Sequence, residues 1–211
     1  MAIDTVIQIA EPPIGGNGAG GSSFGGEQQN GGHGIPDRVY MTGIYIALGG
    51  IIMFFSALVS AWVVRRGLAT DWQPLKLPRI LWLNTAILLA SSAAIFHSRR
   101  LLVADRAADH RHWWNISAFL GMFFVIGQLL AWRQLAAAGI FVATNPASSF
   151  FYVFTAAHGL HILAGIAALI AIAFARPSLV KKEIVTRVAA SYSHAVTLNW
   201  LAICALLLTN R

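Results

Sequence analysis

Acidic residues are nearly absent from the apolar parts of this sequence. The 211 residues include eight Asp and Glu, and none lies between Asp37 and Asp71, between Asp71 and Asp105, or between Asp109 and Glu183. Ion and proton carriers generally place an ionisable group, usually a carboxylate, within the membrane. The sequence therefore argues against an autonomous pump, exchanger or proton channel.

Cysteine is scarce as well, since Cys204 is the only one. A single thiol cannot form a disulfide or a multi-thiolate metal site within one chain. The 15 Lys and Arg residues flank apolar segments, which is typical of membrane-edge anchors and not of a nucleic-acid-binding face.

Apolar residues dominate what is present. Hydrophobic residues make up 57% of the chain and charged residues 11%, and the mean hydropathy is +0.65. This composition is too apolar for an ordinary soluble domain. It predicts an all-α integral membrane bundle.

Five apolar segments are each about long enough, at about 1.5 Å rise per residue, to cross a hydrocarbon core of about 30 Å. Several carry Trp or Arg at their ends, where a bilayer has its interfaces. We predict five transmembrane helices, with the second the shortest, over residues 39–64, 80–97, 113–132, 150–175 and 189–208. Small residues predict close helix approach at Gly121, Gly127, Gly159 and Gly165.

The first 39 residues contain the run GGNGAGGSSFGGEQQNGGHG. A glycine-rich run without apolar periodicity predicts a disordered tail and no cleaved signal peptide. We therefore divide the chain into a glycine-rich tail over residues 1–39 and a five-helix transmembrane domain over residues 40–210.

Basic residues predict the orientation of the bundle. With the N-terminus inside, the inner segments hold nine Lys and Arg and the outer segments hold six. Basic loops tend to stay in the cytoplasm, so we predict a cytoplasmic N-terminus and a periplasmic C-terminus.

Two histidines interrupt the apolar fourth segment. His158 and His161 are three residues apart and lie on nearly one face of a helix. This pair suits a structural or lipid contact, a metal site or a haem site. Helical rise also gives His161 and His194 a similar depth, so a bis-histidine haem b carrier remains an alternative.

The same segment carries a family resemblance. SSFFYVFTAAHGLHILAG resembles the signature FF…TG.HG.HV..G of subunit III of the haem–copper terminal oxidases, through Thr155, His158, Gly159, His161 and Gly165. FLGMFFVIGQLLAW, with Gln128, resembles a further helix of that family. YSHAVTLNW, with Tyr192, His194 and Trp200, resembles its closing segment. The similarity covers residues 40–208, as in the short bacterial type.

The resemblance implies a function without a redox centre in this chain. It implies a non-catalytic subunit that supports assembly, stability, and oxygen and proton access of the catalytic subunit. Haem and copper would belong to partner subunits I and II in a bacterial inner membrane, and a larger respiratory supercomplex is a further candidate partner. Cytochrome c is the expected donor. The alternatives are subunit III of a quinol oxidase and an accessory protein of nitric oxide reductase.

The resemblance also implies which residues are structural. Phospholipid would fill a helix cleft, and the expected lipid-contact or structural residues are His158, Gly159, His161, Gln128, His194 and Trp200. The chain departs from the family where glutamates are expected, because Gly50 and Ala131 occupy those positions. Carboxylate-based roles therefore cannot be transferred to it.

Overall fold

The structure is a computed structural model that describes residues 36–68, 70–175 and 179–209. Most of the predicted glycine-rich tail lies outside the described residues. The described part is all-α, as predicted, and has five helices: α1 (Asp37–Leu68), α2 (Ile80–Val103), α3 (Ala107–Ala137), α4 (Pro146–Ala175) and α5 (Leu179–Leu208). All five are long and apolar enough to cross a membrane.

The helices extend beyond the predicted apolar segments. α2 continues six residues past His97, α3 begins at Ala107, and α5 begins at Leu179. These extensions are rich in Arg, Lys and His, which have adequate helix propensity and are soluble at the membrane edge. Hydropathy marks only the part of a helix within the hydrocarbon, so the predicted segments are shorter than the helices and omit these polar ends.

The end of α3 is fixed by a glycine. Gly139 has φ +75°. Glycine adopts this left-handed conformation at little energetic cost because it has no Cβ. The N–H of Gly139 donates to the carbonyl of Ala136, and the N–H of Ile140 donates to that of Leu135. These bonds satisfy carbonyls at the helix end and turn the chain towards α4.

The helices surround one main core. α2 and α3 form the most extensive pair, α5 packs on α2, and α4 packs on α3 and α5. Among the described helices, α1 packs on α4 and α5 alone. Phe124, Phe151, Phe154 and Trp200 are fully buried in the core. Many large apolar side chains face outwards, as expected for a bundle surrounded by lipid or partner helices.

Three of the four glycines predicted to mark close approach do so. A methyl group at Gly121 would contact Ile166, one at Gly127 would overlap the Asn84 side chain, and one at Gly165 would lie 2.8 Å from a ring carbon of Tyr192. The prediction is wrong for Gly159 within the described part of the chain, where a methyl group would meet no other atom within 4 Å. Gly159 lies on a side of α4 that no other described helix covers closely.

Candidate functional site

His158 lies at the centre of the bundle. Its side chain has no exposed surface, and its ring centroid is 4.8 Å from that of Trp200, 5.6 Å from Phe124 and 6.4 Å from Phe55. Neither ring nitrogen has a hydrogen-bond partner among the described residues. The structural or lipid-contact role of His158 stays a prediction, and the structure surrounds its ring with aromatic side chains of α1, α3 and α5.

His161 occupies a different environment, although it lies on nearly the same helix face. Its Nδ1 donates to the carbonyl of Ala157 at 2.7 Å, within the same helix. Its ring packs 5.5 Å from Phe55 and 6.2 Å from Phe54 of α1. The cross-helix bond at this position comes from Tyr192, whose hydroxyl donates to the main-chain carbonyl of His161 at 2.8 Å.

His194 contacts α2. Its Nδ1 shares a hydrogen bond of 2.5 Å with the hydroxyl of Ser92, and its ring lies 5.8 Å from Phe96. One haem would need the rings of His161 and His194 in the same gap, whereas their contacts direct them to α1 and α2. This geometry does not support the bis-histidine haem alternative. Within the described ranges, no cluster of three or more His, Cys, Asp or Glu side chains could hold a metal ion.

Gln128 and Trp200 line the same interior. Gln128 is 3% exposed, and both of its amide atoms are without a partner among the described residues. Trp200 is buried against Phe124 and His158, and its indole N–H donates to the hydroxyl of Thr85 at 3.0 Å.

Asn84 was not among the predicted site residues. It is fully buried on α2 and, like Gln128, has no partner for either amide atom among the described residues. The available signal was a strongly polar residue inside an apolar segment, which is costly and hence informative.

Two adjoining cavities extend from the middle of the bundle to the end at which α1, α3 and α5 begin. The first has a volume of about 320 Å³ and is lined mainly by apolar side chains from all five helices, including Tyr40, Ile44 and Leu169. The second, of about 560 Å³, is lined by Arg111, Lys182, His110, Asn115, Trp114 and neighbouring residues. Ile172 and Val185 line both cavities, so an apolar compartment adjoins a cationic one.

Comparison with known proteins identifies the family. The family model "Cytochrome c oxidase subunit III" matches residues 38–208. The chain belongs to the cytochrome c oxidase subunit III family. The resemblance drawn from the sequence is therefore confirmed.

Individual relatives agree with this assignment. The chain is 30% identical to cytochrome c oxidase subunit 3 of Thermostichus vulcanus, over 78% of this chain and 84% of the relative. It is 29% identical to that of a Synechocystis strain, over 69% of this chain and 62% of the relative. A probable cytochrome c oxidase subunit 3 of Mycobacterium tuberculosis is 28% identical, over 76% and 83% of the two chains.

Family membership establishes the general role. The protein is a multi-pass membrane subunit of cytochrome c oxidase, a respiratory-chain complex whose other subunits are its partners. Subunit III proteins generally lack redox cofactors of their own.

The two positions where the subunit III family is expected to carry glutamate differ in their surroundings. Ala131 has no exposed surface and is part of the main core. Gly50 lies on α1, where an added methyl group would meet no atom of the described residues within 4 Å. A carboxylate at position 131 would therefore be enclosed by apolar side chains, whereas one at position 50 would point away from this bundle.

Proposed function

We propose that this subunit III is a non-catalytic stabilising subunit that holds phospholipid beside the catalytic subunit. Subunits I and II carry the haem and copper in this proposal. The role of the chain is to support assembly, resistance to inactivation during turnover, and access of oxygen and protons. The adjoining cationic and apolar cavities are the observation that carries the proposal.

The two cavities match the two chemical parts of a phospholipid. Arg111 and Lys182 offer positive charge at the membrane edge, where basic groups between helices attract lipid phosphate. Trp114 has the amphipathic ring common at this depth. The apolar compartment continues from the shared residues Ile172 and Val185 towards Tyr192, in the direction that an acyl chain would take.

A matched pair of charge variants tests lipid binding. Lys182→Gln removes a cation that lines the cavity, and Lys181→Gln removes its exposed neighbour, which does not line it. We expect Lys182→Gln, more so with Arg111→Gln, to lower the phospholipid retained per complex in native mass spectrometry and to shorten the time for which the oxidase turns over. Equal lipid retention and equal turnover in the Lys181→Gln and Lys182→Gln complexes would contradict the proposal.

We propose cytochrome c as the electron donor of the complex, because the matched relatives bear the name cytochrome c oxidase subunit 3. The purified complex should then oxidise reduced cytochrome c and contain a subunit II with a dinuclear copper centre. Oxidation of quinol, but not of cytochrome c, would favour the quinol oxidase alternative.

Oxygen access and resistance to inactivation are tested by turnover measurements. We expect removal of this subunit to leave initial turnover at saturating oxygen largely intact, because the redox centres belong to other chains. We expect faster inactivation and a higher KM for oxygen. Unchanged values of both quantities after removal would contradict a supporting role.

A further inference from the structure

Three fully or almost fully buried polar side chains belong to three different helices of the bundle. Asn84 of α2, Gln128 of α3 and His158 of α4 are 0%, 3% and 0% exposed. Together they present six nitrogen and oxygen atoms without a hydrogen-bond partner among the described residues. Buried polar groups in native proteins almost always have a partner, which is either protein or ordered water.

Contacts between the helices connect the three side chains. The amide of Asn84 lies against Gly127, the residue before Gln128. Phe124 is one helical turn from Gln128 on the same face, and its ring packs on His158.

Trp200 of α5 contacts the same three helices. Its ring packs on both Phe124 and His158, and its indole N–H donates to Thr85, the neighbour of Asn84. Phe124 and Trp200 therefore connect His158 to the turns of α2 and α3 that carry Asn84 and Gln128.

We propose that Asn84, Gln128 and His158 bind internal water between α2, α3 and α4. The two amides each offer a carbonyl acceptor and an NH₂ donor, and a neutral imidazole offers one donor and one acceptor. A water molecule needs this mixture, because it typically makes about three hydrogen bonds as donor and acceptor. Hard cations such as Ca²⁺ and Mg²⁺ take about six or more oxygen ligands, and these three side chains supply only two.

Gly127 is part of the proposed site. A methyl group there would occupy the position of the Asn84 amide, so glycine allows that amide to lie against the backbone of α3. The bound water would join three helices through polar contacts at a place where the packing is otherwise aromatic.

Whether a Gln128→Met substitution stabilises or destabilises the subunit in the complex tests the proposal. Gln128→Met keeps the length of the side chain and removes its polar atoms. If water is bound, this change leaves the other members of the site short of a partner, and we expect the temperature at which the subunit leaves the purified oxidase to fall by on the order of 3 °C. The control is Gln134→Met, the same change at an exposed position of α3. A rise, or no change, with Gln128→Met would overturn the proposal, because removing unpaired buried amides stabilises a protein.

A map of the unaltered complex, from cryo-electron microscopy at a resolution that shows water, provides the second measurement. It does not depend on the folding of a variant. We expect density for water within hydrogen-bond distance of at least two of the three side chains. Direct bonds between these side chains with no such density would overturn the proposal, whatever the effect of Gln128→Met.

Discussion

Replacing Gly165 by alanine tests a close contact between α4 and α5. The new methyl carbon would lie 2.8 Å from Cε1 and 3.4 Å from Cδ1 of the Tyr192 ring. Ordinary contacts between carbon atoms are about 3.5–4.0 Å, so the ring or one of the helices must move. The same ring carries the hydroxyl that donates to the carbonyl of His161.

The expected cost follows from three contributions. Inserting a methyl group into a packed interface costs about 1–3 kcal/mol, and loss of the Tyr192 hydrogen bond costs about 1 kcal/mol. Alanine regains up to about 1 kcal/mol over glycine in a helix interior. We therefore expect Gly165→Ala to destabilise the bundle by about 1–3 kcal/mol.

Gly159→Ala is the matched control on the same helix. A methyl group there meets nothing within 4 Å, so only the helix-propensity gain applies, and we expect a neutral or slightly stabilising effect. The assay is the temperature at which each variant chain leaves the detergent-solubilised oxidase. Tyr192→Leu should also reduce the additional cost of Gly165→Ala, because it removes the ring that the methyl group meets. Equal stability of Gly159→Ala and Gly165→Ala would refute the reasoning.

Three further predictions concern orientation, burial and the histidine pair. A reporter fused after Arg211 should face the periplasm and one in the glycine-rich tail the cytoplasm; both on one side would contradict five crossings. Ala131→Glu should destabilise the bundle by about several kcal/mol, because it buries a carboxylate, and should reduce recovery of the subunit. Recovery equal to that of Ala137→Glu, the same change at an exposed position, would argue against the packing described. Replacing His158 and His161 together by leucine should loosen the attachment of the subunit while the haem and copper content of the catalytic subunit stays unchanged; loss of one haem or metal ion per chain, with the subunit still bound, would indicate a ligand site.

The structural or lipid-contact role of the six predicted residues stays a prediction, but the structure divides five of them between two environments. His158, Gln128 and Trp200 belong to the buried interior. His161 and His194 bond to Ala157 and Ser92 at partly buried positions. The motif spacing alone could not make this division, because it gives the helix face of a residue and not the neighbour that covers it.

The sequence by itself determined the class of the protein, the number of crossings and the family. The hydrocarbon thickness sets a minimum length for each apolar segment, so five segments predict five helices before any contact is known. The order of motifs in residues 40–208 was sufficient for the family because it depends on residue identity along the chain.

Only the tertiary structure decided how the helices face one another. In a membrane, the sides towards lipid and towards protein are both apolar, so hydropathy does not show how a helix is rotated about its axis. The opposition of Gly127 and Asn84, the packing of His158 on Trp200, and the cavity between Arg111 and Lys182 all depend on that rotation. These contacts join residues far apart in sequence, and they exist only once the helices have packed.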